Sequence, residues 1–170
     1  MIQDVNLDKG NSFSAFAHRI NQGTYFNSPY VTVRESKIGG FRSSKGYRLH
    51  GLPEDVWNTA GMDGIGTKVL ISDAAKMYET SAADLIAMVC GDITRKGGLP
   101  LIIMNVLNVA SLDTHEHIAA AEQLMFGLGE YAKQQHLVLF NGETAELKGL
   151  GLADSAPKFS YLWESAGIGV

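Results

Sequence analysis

The segment Asp63-Gly-Ile-Gly-Thr-Lys68 constrains this chain more than any other. It sets a carboxylate, two glycines, a hydroxyl and an ammonium immediately before the apolar run Val69-Leu70-Ile71, which reads as a strand. Gly64 and Gly66 let the backbone turn sharply and approach a ligand. Thr67 and Lys68 offer the hydroxyl and the point charge that handle phosphate oxygens. Gly61 and Gly66 have the outer spacing of a phosphate-binding P-loop, yet Thr-Lys stands where that motif has lysine followed by a hydroxyl. An aspartate inside such a loop would repel the anion unless a cation lay between them. Two readings of Asp63 follow. It is a ligand for Mg2+, which takes a few carboxylates together with phosphate oxygens, or it closes a tight turn by hydrogen-bonding its own backbone.

A chain of 170 residues is about one domain long and can bury a sizeable core. No linker breaks it, so residues 1–170 are expected to form a single domain. Hydrophobic residues at 45% and charged residues at 19% describe a globular chain rather than a disordered one. The net charge of −4 supplies no basic excess for a nucleic-acid strand, although it leaves room for one phosphorylated small molecule. Cys90 stands alone, which excludes an internal disulfide and reads as core in a reducing compartment. No uninterrupted apolar run of about 18 residues is present to span a bilayer, and the first residues lack a leader pattern. The expected location is the cytoplasm, with no membrane and no nucleic-acid partner.

Helical spacing of Phe13, Phe16, Ala17 and Ile20 predicts an amphipathic helix capped at Asn11 or Ser12. Residues 25–51 read as loop. Within them Gly39-Gly40-Phe41, followed by Arg42-Ser-Ser-Lys45, is either a flexible surface segment or a mobile lid over phosphates. A helix begins at Thr80 or Ser81, with Asp84 completing a capping box, and buries Ala82, Leu85, Ile86, Val89 and Ile93. Asp92 then falls in its last turn, facing the negative end of the helix dipole, and needs either Arg95 and Lys96 or a bound metal to compensate. Leu101 to Val109 reads as a buried strand. Thr114 caps a helix whose stripe runs through Ile118, Ala121, Leu124, Met125, Leu128 and Tyr131, with His115 and His117 solvated at its start. Leu137 to Phe140 is a strand emptying into Glu143 and Glu146, which share a face if that segment turns helical. Residues 148–158 read as loop and Ser160 to Val170 as a last strand. This order predicts an α+β sandwich, a mixed sheet with helices on one face. Asp63, Asp92 and Glu143 each end an element beside a glycine; convergence there would build a divalent-cation site, and Lys68 would help to neutralise a polyphosphate.

Asp63-Gly-Ile-Gly-Thr-Lys68, Asp84 to Asp92 and Gly142-Glu-Thr-Ala-Glu-Leu147 resemble the three signatures of the aminoimidazole ribonucleotide (AIR) synthase family. The likeness extends from Val5-Asn-Leu-Asp-Lys-Gly-Asn11 through Ser36 to Phe41 and on to Ala166-Gly-Ile-Gly-Val170, nearly the whole chain. It implies an N-terminal ATP-binding domain that forms a homodimer by joining sheets into a barrel, with a C-terminal domain absent from this chain. It implies ATP and Mg2+ as cofactors and a small phosphorylated substrate. In that family ATP phosphorylates the amide oxygen of formylglycinamidine ribonucleotide, and an internal nitrogen then closes the imidazole ring. Carried over by motif, Asp63, Asp92 and Glu143 would hold Mg2+; Thr67 and Lys68 would contact phosphates; Gly39, Gly40, Phe41, Gly64 and Gly66 would line the nucleotide. Selenophosphate synthetase and thiamine-phosphate kinase share the fold with other acceptors, and a non-catalytic dimerising or nucleotide-sensing domain is the reading from another class. The chain departs from the family pattern at Gly91, Asn141, Lys148 and the Arg42-Ser-Ser-Lys45 loop, which marks a divergent branch.

Overall fold

A computed structural model of the chain describes residues 7–38, 40–147 and 159–170. Gly39, the loop expected over 148–158 and the first residues of the Val5–Asn11 motif lie outside the described residues. In order, the elements are helix α1 (Leu7–Gln22), strand β1 (Val31–Glu35), a 3₁₀ turn (Gly40–Arg42), β2 (Lys45–Leu49), β3 (Thr59–Gly64), a second 3₁₀ turn (Gly66–Lys68), α2 (Val69–Ala75), α3 (Ser81–Thr94), β4 (Pro100–Val109), α4 (His115–Gln134), β5 (Val138–Glu146) and β6 (Tyr161–Gly169). The main sheet runs β3-β6-β4-β5, with β6 antiparallel to both neighbours and β4 parallel to β5. Helix α4 crosses between the parallel pair, as a parallel connection requires. Helices α3 and α4 cover one face of the sheet, and α1 packs on β5 and α4. The β1–β2 hairpin forms its own small sheet and packs Val31, Val33 and Leu49 with Ile102, Val138 and Ile168. The expected mixed sheet with helices on one face is what forms.

Strand alternation decides which residues meet the helices. On β6, Tyr161, Trp163, Ser165, Gly167 and Gly169 turn inward and are buried, while Leu162, Glu164, Ala166 and Ile168 turn outward. On β4 the inward set is Ile103, Asn105, Leu107 and Val109. Between Ile103 and Met104 the pairing with β5 shifts by one residue, so that Ile103 faces Leu139 but Met104 faces Asn141. Phe140 is the extra residue of this β-bulge. Beyond it Gly142, opposite Asn105, turns inward, and Glu143, opposite Val106, turns outward.

Several expectations require correction. Val69-Leu70-Ile71 opens a helix, not a strand. A three-residue apolar run does not distinguish the two, and here Leu70 and Ile71 are exposed while Ser72 and Asp73 are buried. Those polar residues are held from the core side, Ser72 Oγ 2.6 Å from the Tyr161 hydroxyl and Asp73 Oδ1 accepting from the Tyr78 hydroxyl at 2.7 Å. Residues 25–51 contain the hairpin, hidden in the sequence because each strand places few apolar residues inward. Helix α1 starts at Leu7, ahead of the proposed caps. The Ser81–Asp84 capping box does not form; Ser81 Oγ instead lies 3.1 Å from the Tyr161 hydroxyl. Thr114 caps α4 as expected, its Oγ1 accepting the His117 N–H at 3.1 Å. His115 is exposed, but the His117 ring packs 5.8 Å from that of Phe159.

Two glycines inside helices carry opposite expectations. A Cβ on Gly127 of α4 would lie 2.2 Å from the Glu79 carbonyl oxygen, whereas one on Gly91 of α3 would meet nothing within 4 Å. Gly127→Ala should therefore destabilise the protein by about 1–3 kcal/mol through overpacking. Gly91→Ala should stabilise it by up to about 1 kcal/mol through helix propensity. Urea unfolding midpoints measure both; equal signs would contradict the packing described.

Candidate functional site

The first motif lies at the β3 edge of the sheet. Asp63 is within β3, facing α3 by strand alternation, and its Oδ1 accepts the Gly64 N–H at 2.7 Å. One inward position earlier is Gly61, where a Cβ would lie 2.7 Å from the Asp92 Cβ. Asp63 and Asp92 thus stand on the same side of β3, two residues or about 7 Å apart along the strand. Asp92 is paired with Arg95 one turn on, which supplies the cation that its place at the helix end demands. Gly66 takes a left-handed φ of +58°, as a turn glycine does, and starts the 3₁₀ turn that carries Thr67 and Lys68. Gly64 is different. It is a ladder residue of β3, and a Cβ there would approach the Trp163 carbonyl oxygen to 3.1 Å. Lys68 Nζ sits 3.9 Å from Asp84 Oδ1 with both side chains partly in solvent, a pair worth no more than about 1 kcal/mol.

The third acid is elsewhere. Asp63, Ser165, Asn105 and Gly142 face one another in a row across β3, β6, β4 and β5. Three strand spacings, roughly 14 Å, separate the ends of that row. Glu143 lies one residue beyond its far end, exposed and turned to the other face. Glu143 and Glu146 also fail to share a helical face, because the segment is strand and their separation is odd. Among the described residues no three His, Cys, Asp or Glu side chains are grouped so as to hold a metal ion. The expected convergence of Asp63, Asp92 and Glu143 is therefore not made within one chain. Spacing along the sequence carries no information about strand order, and β3 and β5 are the two edges.

Glu143 instead lines a cleft of about 510 Å³ at the β5 edge, between α1 and the first 3₁₀ turn, and Phe41 lines it too. Gly40 precedes Phe41 with a φ of +54°. The Arg42 guanidinium lies 4.7 Å from the Phe41 ring centroid and donates to Asn11 Oδ1 at 2.8 Å. Lys45, only 5% exposed, extends its ammonium to within 3.3 Å of Asn141 Oδ1, 3.2 Å of His18 Nδ1 and 3.6 Å of Glu35 Oε1. The expected residues thus fall into two groups: Asp63, Gly66, Thr67, Lys68 and Asp92 at β3–α3, and Phe41 and Glu143 at the cleft. Sequence reasoning missed His18, Asn21, Glu35 and Asn105. His18, Asn21 and Asn105 sit in helical or apolar patterns that predict only packing, and Glu35 in a stretch read as loop; the signal available was a polar residue at an inward position.

Burial competes with hydrogen bonds and neighbouring charges at the cleft wall. Burial opposes ionisation of Glu35, but hydrogen bonds from Tyr25 at 2.6 Å and Gln22 at 2.9 Å, with the charges of His18 and Lys45, outweigh it and hold the carboxyl below its ordinary range. Burial and then the Lys45 ammonium lower His18. Burial alone pushes the Cys90 thiol up to about 11, in keeping with a core role.

The sequence profile of the family described as AIR synthase related protein, N-terminal domain, matches residues 49–162. A phosphoribosylformylglycinamidine cyclo-ligase of Desulfotalea psychrophila is 32% identical over 146 residues, covering 86% of this chain and 38% of that protein. The enzyme of the same name from Sorangium cellulosum is 35% identical over 146 residues, covering 86% and 39%. This chain therefore spans about two fifths of the length of those relatives. A crystal structure of a HypE–HypF complex superposes with a TM-score of 0.48 at 15% identity, covering 66% of this chain and 33% of that one. Among the described residues no helix is long and apolar enough to cross a membrane.

Acidification should lower the stability of this chain over two pH ranges. A lowered His18 withholds the proton that the unfolded histidine takes near pH 6.5, so stability declines as the pH falls below that value. A depressed Glu35 contributes stability above its unfolded value of 4.5 that is lost as the pH drops through the folded value. Thermal melts should show both limbs, with His18→Gln flattening the first and Glu35→Gln the second. A melting temperature independent of pH would contradict the wall described.

Proposed function

This chain belongs to the AIR synthase related protein family through its N-terminal domain, and on that premise we propose that it is the Mg·ATP-binding half of a cytoplasmic cyclo-ligase of purine biosynthesis. The full reaction in this reading closes the imidazole ring of aminoimidazole ribonucleotide from formylglycinamidine ribonucleotide. The observation that carries it is the placement of Asp63 and Asp92 on one side of β3, next to the left-handed turn that presents Thr67 and Lys68.

The donor set fits the cofactors. Two carboxylates are what Mg2+ takes from protein when phosphate oxygens complete its shell. Asp63 and Asp92 would hold the ion, which supplies charge neutralisation at a transferring phosphoryl group. Lys68 would exchange its weak partner Asp84 for phosphate, and Thr67 would donate its hydroxyl. Each of these roles is positional, holding the triphosphate in line for an amide oxygen bound next to it. Across a homodimer, Gly39, Gly40 and Phe41 of one copy would close over the nucleotide held by the other, and Glu143 would join the acids. In favour of such a pairing, the outward face of the main sheet carries exposed Met62, Val106 and Leu162, which a second sheet would cover.

Calorimetry on this chain is expected to give ATP binding that depends on Mg2+, and Asp92→Asn to weaken it at least tenfold. The Asp92–Arg95 pair is worth at most about 1 kcal/mol, so the melting temperature should move by no more than about 2–4 °C. No Mg2+-dependent heat, or a collapse of stability with nucleotide affinity unchanged, would sink the proposal.

A further inference from the structure

Asp63 and Asp92 stand on one side of β3, but their oxygens are engaged differently. Asp63 spends Oδ1 on the Gly64 N–H of its own strand. Asp92 Oδ1 accepts from Nη2 of Arg95, the residue that closes α3. The aspartate side chain is 19% exposed and the arginine side chain 70%. The guanidinium thus covers, from the solvent side, a carboxylate that protein encloses elsewhere. Residues three apart on a helix meet in this way without further support, and an ion pair open to water on one side is weak and screened by salt. Lys68 is drawn to Asp84 instead. Among the described residues Arg95 is therefore the cation paired with either acid, and it cancels half of their combined charge.

A small divalent cation needs a carboxylate oxygen at close range and is repelled by a guanidinium that holds the same oxygen. A guanidinium, in turn, has a planar fork that suits phosphate at least as well as carboxylate. We propose that Arg95 is a built-in competitor for the metal at Asp92, one that gives way when a triphosphate offers it another anion, so that metal entry is tied to nucleotide arrival. Arg95 would then turn from Asp92 to the phosphates, and by linkage each ligand would raise the affinity for the other. The inference rests on the Mg·ATP reading and deepens it, because it gives a residue outside the proposed ligand set control over when that set is free.

The test compares the full chain with Arg95→Gln in two titrations, Mn2+ alone followed by electron paramagnetic resonance and Mg·ATP followed by calorimetry. Arg95→Gln should bind Mn2+ about fivefold more tightly at low salt, the upper worth of an exposed ion pair expressed as affinity. The gain should shrink as salt is raised, and it should vanish on an Asp92→Asn background, where the two residues no longer interact. Mg·ATP should bind Arg95→Gln no more tightly than the unaltered chain, because the metal's gain is offset by the lost contact to phosphate. Arg95→Lys, which keeps the charge without the fork, should fall between the two in the Mn2+ titration and decides the matter if Arg95→Gln does not fold. Equal or weaker Mn2+ binding by the variants, a gain that survives Asp92→Asn, or an equal gain for Mg·ATP would overturn the inference and leave the Mg·ATP reading standing. Binding of neither Mn2+ nor Mg·ATP by any of the proteins would overturn both.

Discussion

Everything at the β3 edge depends on how closely α3 is seated on the sheet. Ile93 lies where side chains on Gly98, Gly167 and Gly169 would be, at 2.8, 3.0 and 2.9 Å from their would-be Cβ atoms, and Asp92 lies over Gly61. With side chains at those positions the helix would ride higher, and Asp92 would leave the flank of Asp63. Contact at this range also accounts for the complete burial of Leu85, Val89 and Ile93, each worth about 1.5–3 kcal/mol. The same packing that stabilises the domain therefore sets the spacing of two carboxylates.

A second layer of control comes from hydroxyls rather than hydrocarbons. Tyr161 on β6 holds Ser72 of α2 and Ser81 of α3, and Tyr78 donates to Asp73. Burial and then the bond to Asp73 push the Tyr78 phenol up to about 12, which keeps it a donor at neutral pH. This network anchors α2 by its polar side and leaves Leu70 and Ile71 outside. The 3₁₀ turn carrying Lys68 lies directly between β3 and that anchored helix.

Much of this was legible in the sequence. The inward stripes of α3 and α4, the long strand β4, the Thr114 cap and the last strand each follow from a local period or a local hydrogen bond. The α2 helix was not legible, because its buried side is Ser72 and Asp73, and hydrophobicity points the wrong way there. The hairpin was hidden because its partner surface comes from residues 101, 102, 138 and 168, far along the chain. The motif acids were identifiable one by one, but their relation was not. Asp63 and Asp92 are brought to the same side of β3 by tertiary packing, whereas Glu143 is kept from them by strand order.

The shift at Phe140 has a consequence for how such a domain can drift. Side chains on an edge strand have only two orientations, and one extra residue in β5 exchanges them for everything downstream. Loss of the bulge with every residue kept would pair Asn141 with Asn105 and turn Glu143 toward the core, while every motif letter stayed in place. Point changes along β5 alter one contact at a time. A register slip that absorbed Phe140 into the ladder would invert the parity of the whole acidic segment, so the bulge is a stricter inheritance than the letters around it.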